Sequence, residues 1–220
     1  MQRSKFNISV FSRILLYLVG AVLLGFGIVL CVKCQMGVSP INSVPYVLTY
    51  LTPLSLGTLS ILFYLVNIAL QLILSEKKDY ISILLQLPVS FLFGFVIDIW
   101  GALLPFAENI AMQIFCLCAS LFFTAFGIML LVTAHLVPDP PTGAVQTISR
   151  TSKKAMGHIK IIYDSTCVVL SLLISLLGTH RIIGFGLATI VSAICVGRIL
   201  AFLQGTVGKR INSLIIKENQ

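Results

Sequence analysis

Charge is what this sequence is short of. Of 220 residues only 10% are charged, seven of them acidic and 15 basic, against roughly 25% in an average soluble domain. A water-soluble domain could not cover its surface with so few charges. Histidine numbers three and tryptophan one. No His/Cys grouping has zinc spacing, and no H-E-x-x-H or Ser/His/Asp grouping occurs. Neither a metal nor a prosthetic group is therefore expected, and the chain does not read as an enzyme. Disordered, collagen-like and disulfide-scaffold compositions are excluded as well. What is abundant is apolar surface, 58% of the chain, with a mean hydropathy of +1.04. The class left is a polytopic membrane protein, with the lipid bilayer as its first partner.

The net charge of +8 does not indicate nucleic acid, because no RNA- or DNA-binding motif accompanies it. The basic residues sit between apolar runs, where they set topology and meet lipid headgroups. The six cysteines (Cys31, Cys34, Cys116, Cys118, Cys167, Cys195) lie in or beside apolar segments and read as small hydrophobes. Cys31 and Cys34 have C-x-x-C spacing, but they end a helix, whereas a redox pair opens one. The basic start and first apolar run lack a small-residue cleavage site, so that run reads as an uncleaved first span.

Six stretches are long enough to cross a bilayer core, which takes about 20 apolar residues. They are 11–33, 56–74, 81–104, 110–133, 159–177 and 182–204. With the N-terminus in the cytoplasm, twelve basic residues fall on the cytoplasmic side. They include Arg3, Lys5, Arg13, Arg150, Lys153, Lys154, Lys209, Arg210 and Lys217. Only Lys33 and Arg181 fall outside, and Arg198 lies within a span. That bias places both termini, as short tails, in the cytoplasm.

The chain partly matches itself at a shift of 100 residues. Phe26-Gly27-Ile28 meets Phe126-Gly127-Ile128, Pro40 meets Pro140, and Gly57 meets Gly157. Glycine and proline matches carry weight because each marks a backbone requirement. Residues 1–220 then form a single membrane domain of two halves, about 11–105 and 110–205, with three spans each. An odd number of spans inverts the second half relative to the first, an arrangement frequent in secondary transporters.

Each half also has a proline-rich break after its first span. Ser39-Pro40 and Asp139-Pro140 each place an N-cap residue before a proline at the first helical position. Short helices are predicted over about 41–51 and 141–151. Each is about 15 Å long, half a bilayer. Such a helix either re-enters the bundle, turning its free amides to a buried site, or lies flat at the interface. The positive helix end would favour an anionic group near Ser39, Asn42 and Ser43, and Asp139 would disfavour one in the other half.

The pattern Gly37-x-Ser39-Pro40-x-x-Ser43-x-Pro45-Tyr46, after a basic start and a glycine-rich first span, resembles the YczE/YyaS/YitT group of bacterial integral membrane proteins. The resemblance implies a bacterial inner-membrane protein and names no substrate. The second half departs from the motif, with Asp139 where Ser39 stands.

Three charges fall inside predicted spans: Asp98, Asp164 and Arg198. Such groups are costly in a bilayer and usually face the bundle interior. Asp98 lies ~9 Å to the outer side of its span's centre and Arg198 ~8 Å to the inner side of its own, so depth separates them. Asp164, ~6 Å to the inner side, is the predicted partner of Arg198, and Tyr64 that of Asp98. Small residues four apart (Ala21/Gly25, Ser90/Gly94, Gly184/Ala188/Ser192, Ala193/Gly197) predict close helix packing within the chain. The expected fold is all-α, with six transmembrane helices in two inverted three-helix repeats, each with a short broken helix after its first span. The expected function is transport or export of an unidentified small molecule or ion, through a site lined by Ser39, Asn42, Ser43, Asp98, Asp139, Asp164 and Arg198. The alternative is a membrane scaffold or accessory factor. A second copy of the chain stands as a further candidate partner.

Overall fold

The computed structural model describes residues 10–208, which are helical with no strand among them. The predicted terminal tails, with Arg3, Lys5, Lys209, Arg210 and Lys217, lie outside the described residues. Nine α-helices follow one another: α1 (Val10–Lys33), α2 (Pro40–Leu48), α3 (Leu56–Leu74), α4 (Tyr80–Leu84), α5 (Gln86–Leu103), α6 (Ile110–Ala134), α7 (Pro140–Ser152), α8 (Met156–Thr179) and α9 (Leu187–Leu203). Six helical stretches are long and apolar enough to cross a membrane. They are α1, α3, the α4–α5 stretch Lys77–Leu103, α6, α8 and Leu187–Thr206. The chain is thus a multi-pass membrane protein by the length and composition of its helices.

Two predicted spans differ from the structure, each for a backbone reason. The third is broken at Leu85. Pro88 has no N–H to offer the Leu84 carbonyl four residues back. The sixth begins at Leu187 rather than 182. Residues 182–186 stay irregular around Gly184, whose φ is +79°. This segment pairs with the turn after α1: Val38 N–H donates to the Gly184 carbonyl at 2.9 Å, and Ala188 N–H to the Met36 carbonyl at 2.9 Å. Gly37, at φ +104°, closes that turn. A side chain there would meet the backbone of Gly186 at 2.7 Å.

The centre of the bundle is the crossing of α1 and α6, which run in opposite directions. The two backbones come close enough that a Cβ on Gly127 would stand 2.6 Å from Leu24 N, and one on Gly27 would stand 2.5 Å from Thr124 N. Small residues permit such an approach, and without a hydrophobic force between helices in lipid, that close contact is what holds them. Arg13, near the start of α1, locks the pair at one end. Its Nε donates to the Ala134 carbonyl at 2.8 Å and its guanidinium also reaches the His135 carbonyl. Both carbonyls belong to the C-terminal end of α6, which leaves its last acceptors unpaired and carries partial negative charge. Around this axis, Gly25 of α1 fits against Val96 of α5. Gly57 of α3 meets Gly94 of α5, with the Gly94 carbonyl 2.1 Å from where a Cβ would lie. The predicted packing of Ala21/Gly25 and Ser90/Gly94 is present. The predicted packing of the Ala193/Gly197 face of α9 does not form: among the described residues a Cβ on Gly197 would meet nothing within 4 Å, and Ala193 is exposed.

The two short helices start inside the bundle from opposite ends. Call the end where α1 begins the near end, and the other the far end. Ser43 of α2 donates its hydroxyl to the Cys167 carbonyl at 3.3 Å. Cys167 lies at the middle of α8. Leu51, just past α2, packs on Gly178 at the far end of α8. So α2 climbs along the far half of α8 and does not lie flat across the bundle. In turn, α7 packs along the last turns of α3. The Pro140 carbonyl accepts from Gln71 Nε2 at 3.1 Å, while Arg150 and Thr151 reach Ser75 and Leu74.

Lengthening Gly127 to alanine forces a Cβ into the Leu24 backbone, and overpacking of this kind costs about 1–3 kcal/mol. Gly197→Ala meets open space and removes a helix-weakening glycine. Thermal unfolding of the purified protein is expected to show a clear drop for Gly127→Ala and an unchanged or raised Tm for Gly197→Ala.

Candidate functional site

Polar side chains gather in two places, one toward each end of the bundle. The near-end group is organised by one face of α3. Ser60, Tyr64, Asn67 and Gln71 recur at helical spacing, and all are buried. Gln71 and Gln86 exchange both amide hydrogen bonds, at 2.9 and 2.8 Å, and Gln71 also donates to Pro140. This ties α3, α5 and α7 together with every amide paired, the condition under which buried polar groups stabilise. One turn deeper, Tyr163 of α8 donates to Asn67 Oδ1 at 2.6 Å. Beside these residues a cavity of about 240 Å³ opens at the near end, with Gly143 and the Asp79–Arg150 ion pair (2.7 Å) in its wall.

Asp139 caps α7, its Oδ2 accepting from Thr142 N–H at 3.2 Å. It lies within electrostatic range of Tyr17, Tyr64, Tyr163 and Lys160. Burial raises its carboxyl above the ordinary value, partly offset by the hydrogen bonds from Thr142. The buried Tyr17 hydroxyl has no hydrogen-bond partner among the described residues.

The far-end group lines two adjoining cavities of about 520 and 810 Å³, which share Val32, Tyr46, Tyr50 and Phe106. Tyr46 and Tyr50, one turn apart, are joined through their hydroxyls at 2.8 Å. Lys33 Nζ lies 4.0 Å from the centre of the Phe106 ring, a cation–π distance. Asp98, on α5, accepts from Ser55 Oγ at 2.6 Å and from Gly57 N–H at 2.8 Å. Both Asp98 and Lys33 border the smaller cavity.

The structure therefore brings together some of the expected site residues and separates others. Ser39, Asn42 and Ser43 form one cluster at the start of α2. Ser39 holds the N-cap position of that helix as expected, but its side chain makes no capping hydrogen bond. Its hydroxyl accepts instead from Asn42 Nδ2 at 2.8 Å, and Ser43 turns its hydroxyl to the Pro40 carbonyl and to Cys167. Asp98 stands apart on the far cavity and Asp139 on the near side. The expected Asp164–Arg198 pair does not form. Asp164 is held by Lys160, one turn earlier on its own helix, at 3.1 Å, and Arg198 is on the exposed face of α9, in no ion pair among the described residues. The expected Asp98–Tyr64 contact is absent too. Asp98 is drawn to the start of α3, while Tyr64 packs edge-on to Phe93 two turns further along.

Sequence reasoning passed over Gln71, Gln86, Asn67 and Tyr163 because it weighed charges. The signal was present in the 60-64-67-71 spacing, a polar stripe down a span that is otherwise apolar. Lys33, counted only as a topology marker, has a place in the far cavity.

A family model described as a family of unknown function, DUF6198, matches residues 11–205. That match does not show the YczE/YyaS/YitT group that the Gly37–Tyr46 motif, the basic start and the glycine-rich first span resemble. No curated protein and no solved structure matches the chain.

Gln71→Leu leaves the Gln86 amide unpaired and is expected to destabilise by about 1–3 kcal/mol. Adding Gln86→Leu should restore part of that loss, so a double-mutant cycle on unfolding free energy reads a coupling between them. For Asp139, the carboxyl is raised in the folded state, so the folded protein holds that proton more tightly than the unfolded chain. Stability from this group is gained as pH falls through the raised value toward 3.8 and is lost as pH rises. Asn is an equally good N-cap. Asp139→Asn is therefore expected to raise the Tm at pH 8 by more than at pH 4, measured as the difference from the wild-type melting curve.

Proposed function

The chain belongs to the DUF6198 family, whose function is unknown, and we propose that it moves a small solute across the membrane by alternating access between the two ends of its bundle. The observation that carries this reading is the exchange of short helices. The start of α2 sits at mid-height on α8, and α7 sits on α3. With α1 matched to α6, α2 to α7, α3 to α8 and α5 to α9, that exchange is what a two-fold inverted repeat of 11–105 and 110–205 demands. Transporters of this design place their sites between the repeats, at interrupted helices. Cavities opening at opposite ends, one beside each short helix, suit it as well.

On this reading the near end is cytoplasmic, with both termini, and the membrane is the bacterial inner membrane. The basic residues Lys77, Lys78, Arg150, Lys153 and Lys154 at the near end support that orientation. Ser39, Asn42 and Ser43 line the path where α2 begins, Asp98 belongs to the far mouth, and Asp139 to the near side. Asp164, satisfied by Lys160, and Arg198 on the outer face fall outside it. One observation favours the alternative of a scaffold or accessory protein: the small-residue face of α9 around Ala193 and Gly197 has no neighbour among the described residues. A second copy or another membrane helix would fit against it.

The test is a thermal-shift screen of the purified protein against amino acids, amines, organic acids and inorganic ions. Each stabilising compound is then tested for counterflow in proteoliposomes. Uptake of label is expected into liposomes preloaded with the same compound and not into empty ones. Compounds that stabilise the protein yet never exchange would overturn transport.

A further inference from the structure

The far-end cavity holds one group of each charge, and neither is satisfied by the other. Asp98 and Lys33 form no ion pair among the described residues. Asp98 has only neutral donors, one hydroxyl and one amide. An ionised carboxylate has about four lone-pair positions, so two remain open. Lys33 has the face of Phe106, a weak partner for an ammonium that can donate three hydrogen bonds. Both groups are half-buried, which strengthens their pull on an ion relative to open water. Between them the wall is aromatic and aliphatic, including Tyr46, Tyr50 and Ile97. At about 520 Å³ the cavity is within the range of small-molecule sites.

We propose that this cavity binds a small zwitterion. The ammonium goes to Asp98, the carboxylate or phosphate to Lys33, and the apolar body lies against Tyr46 and Tyr50. A lone cation would leave Lys33 facing it, and a lone anion would face Asp98, so each single charge meets a repulsion that the zwitterion turns into a second attraction. The same chemistry comes from two sources, a free amino acid or the headgroup of phosphatidylethanolamine. The inference deepens the transport reading by naming the ligand class of its far mouth. It concerns binding alone, so a ligand that binds and is not carried leaves it standing while transport fails.

The experiment compares leucine with its two halves, isopentylamine and 4-methylpentanoate, and with glycerophosphoethanolamine. The readouts are the Tm and the emission of Trp100, the single tryptophan, which lies two residues from Asp98. At least one of the two zwitterions is expected to shift a readout, with each half-molecule about tenfold or more weaker than leucine where leucine binds. Lys33→Gln should bring leucine down to the level of isopentylamine, and Asp98→Asn down to that of 4-methylpentanoate. If Asp98→Asn loosens α3 from α5 and fails to fold, Lys33→Gln alone decides, since Lys33 holds no helix in place. Nanodiscs of phosphatidylglycerol with and without phosphatidylethanolamine separate the two sources. A rise in Tm with phosphatidylethanolamine that Lys33→Gln abolishes assigns the headgroup, and a rise with leucine alone assigns the free amino acid. No response to either zwitterion in either readout overturns the proposal, as does a half-molecule that binds as tightly as leucine.

Discussion

Everything else in this bundle is positioned by the contact between the backbones of α1 and α6. In lipid, one apolar helix gains little from touching another rather than an acyl chain. Close approach, with its many weak dispersion contacts, has to supply the attraction. Gly27 and Gly127 let the two backbones meet, and Arg13 fixes their register by reaching the last carbonyls of α6. Once that axis is set, Gly25 fits α5 to α1, and the Gly57–Gly94 contact fits α3 to α5. The glycines act here by the space they leave.

The interior that this packing encloses is held by neutral amides and hydroxyls far more than by charges. The Gln71–Gln86 pair and the Tyr163–Asn67 bond join α3, α5 and α8 without desolvating an ion. Buried ion pairs must first recover a desolvation penalty. Of the ion pairs described, Lys78–Glu76 and Arg150–Asp79 are at the near end, and Lys160–Asp164 lies on the partly exposed face of α8. The short helices use the same economy. Each begins within the bundle with a proline, which has no amide hydrogen to leave unpaired, and so lessens the difficulty of ending a helix away from water.

Much of this was legible in the sequence, and the failures share a cause. Ser39-Pro40 and Asp139-Pro140 announced both short helices to within a few residues, because proline's constraint is local. The Phe26-Gly27 and Phe126-Gly127 match pointed at the two helices that cross. Whether α2 re-enters or lies flat was not legible, since that depends on Cys167, which stands 124 residues away. The pairing of Asp164 with Arg198 rested on depth alone. Depth fixes the height of a residue but not its direction around the helix, and Lys160 was one turn away on the same face. Asp98 was drawn to the nearest unpaired donors, at the start of α3, and not to Tyr64. Ser39 sits at the N-cap of α2 as its proline neighbour announced, yet its hydroxyl is taken by the Asn42 side chain one turn on instead of a backbone amide.

The hold of Arg13 on the end of α6 also sets an order in time. The guanidinium and its acceptor are 121 residues apart. When α1 leaves the ribosome, Gly27 and Arg13 have nothing to meet until four more helices and the whole of α6 have been made. Synthesis at about 5–20 residues per second makes that wait several seconds or longer. During it, α1 has only the first half of the chain to pack on, with the groove later filled by α6 open to lipid or to another newly made chain. The first half of the protein is thus an intermediate with an exposed seam, and its fate is decided by which helix reaches that seam first.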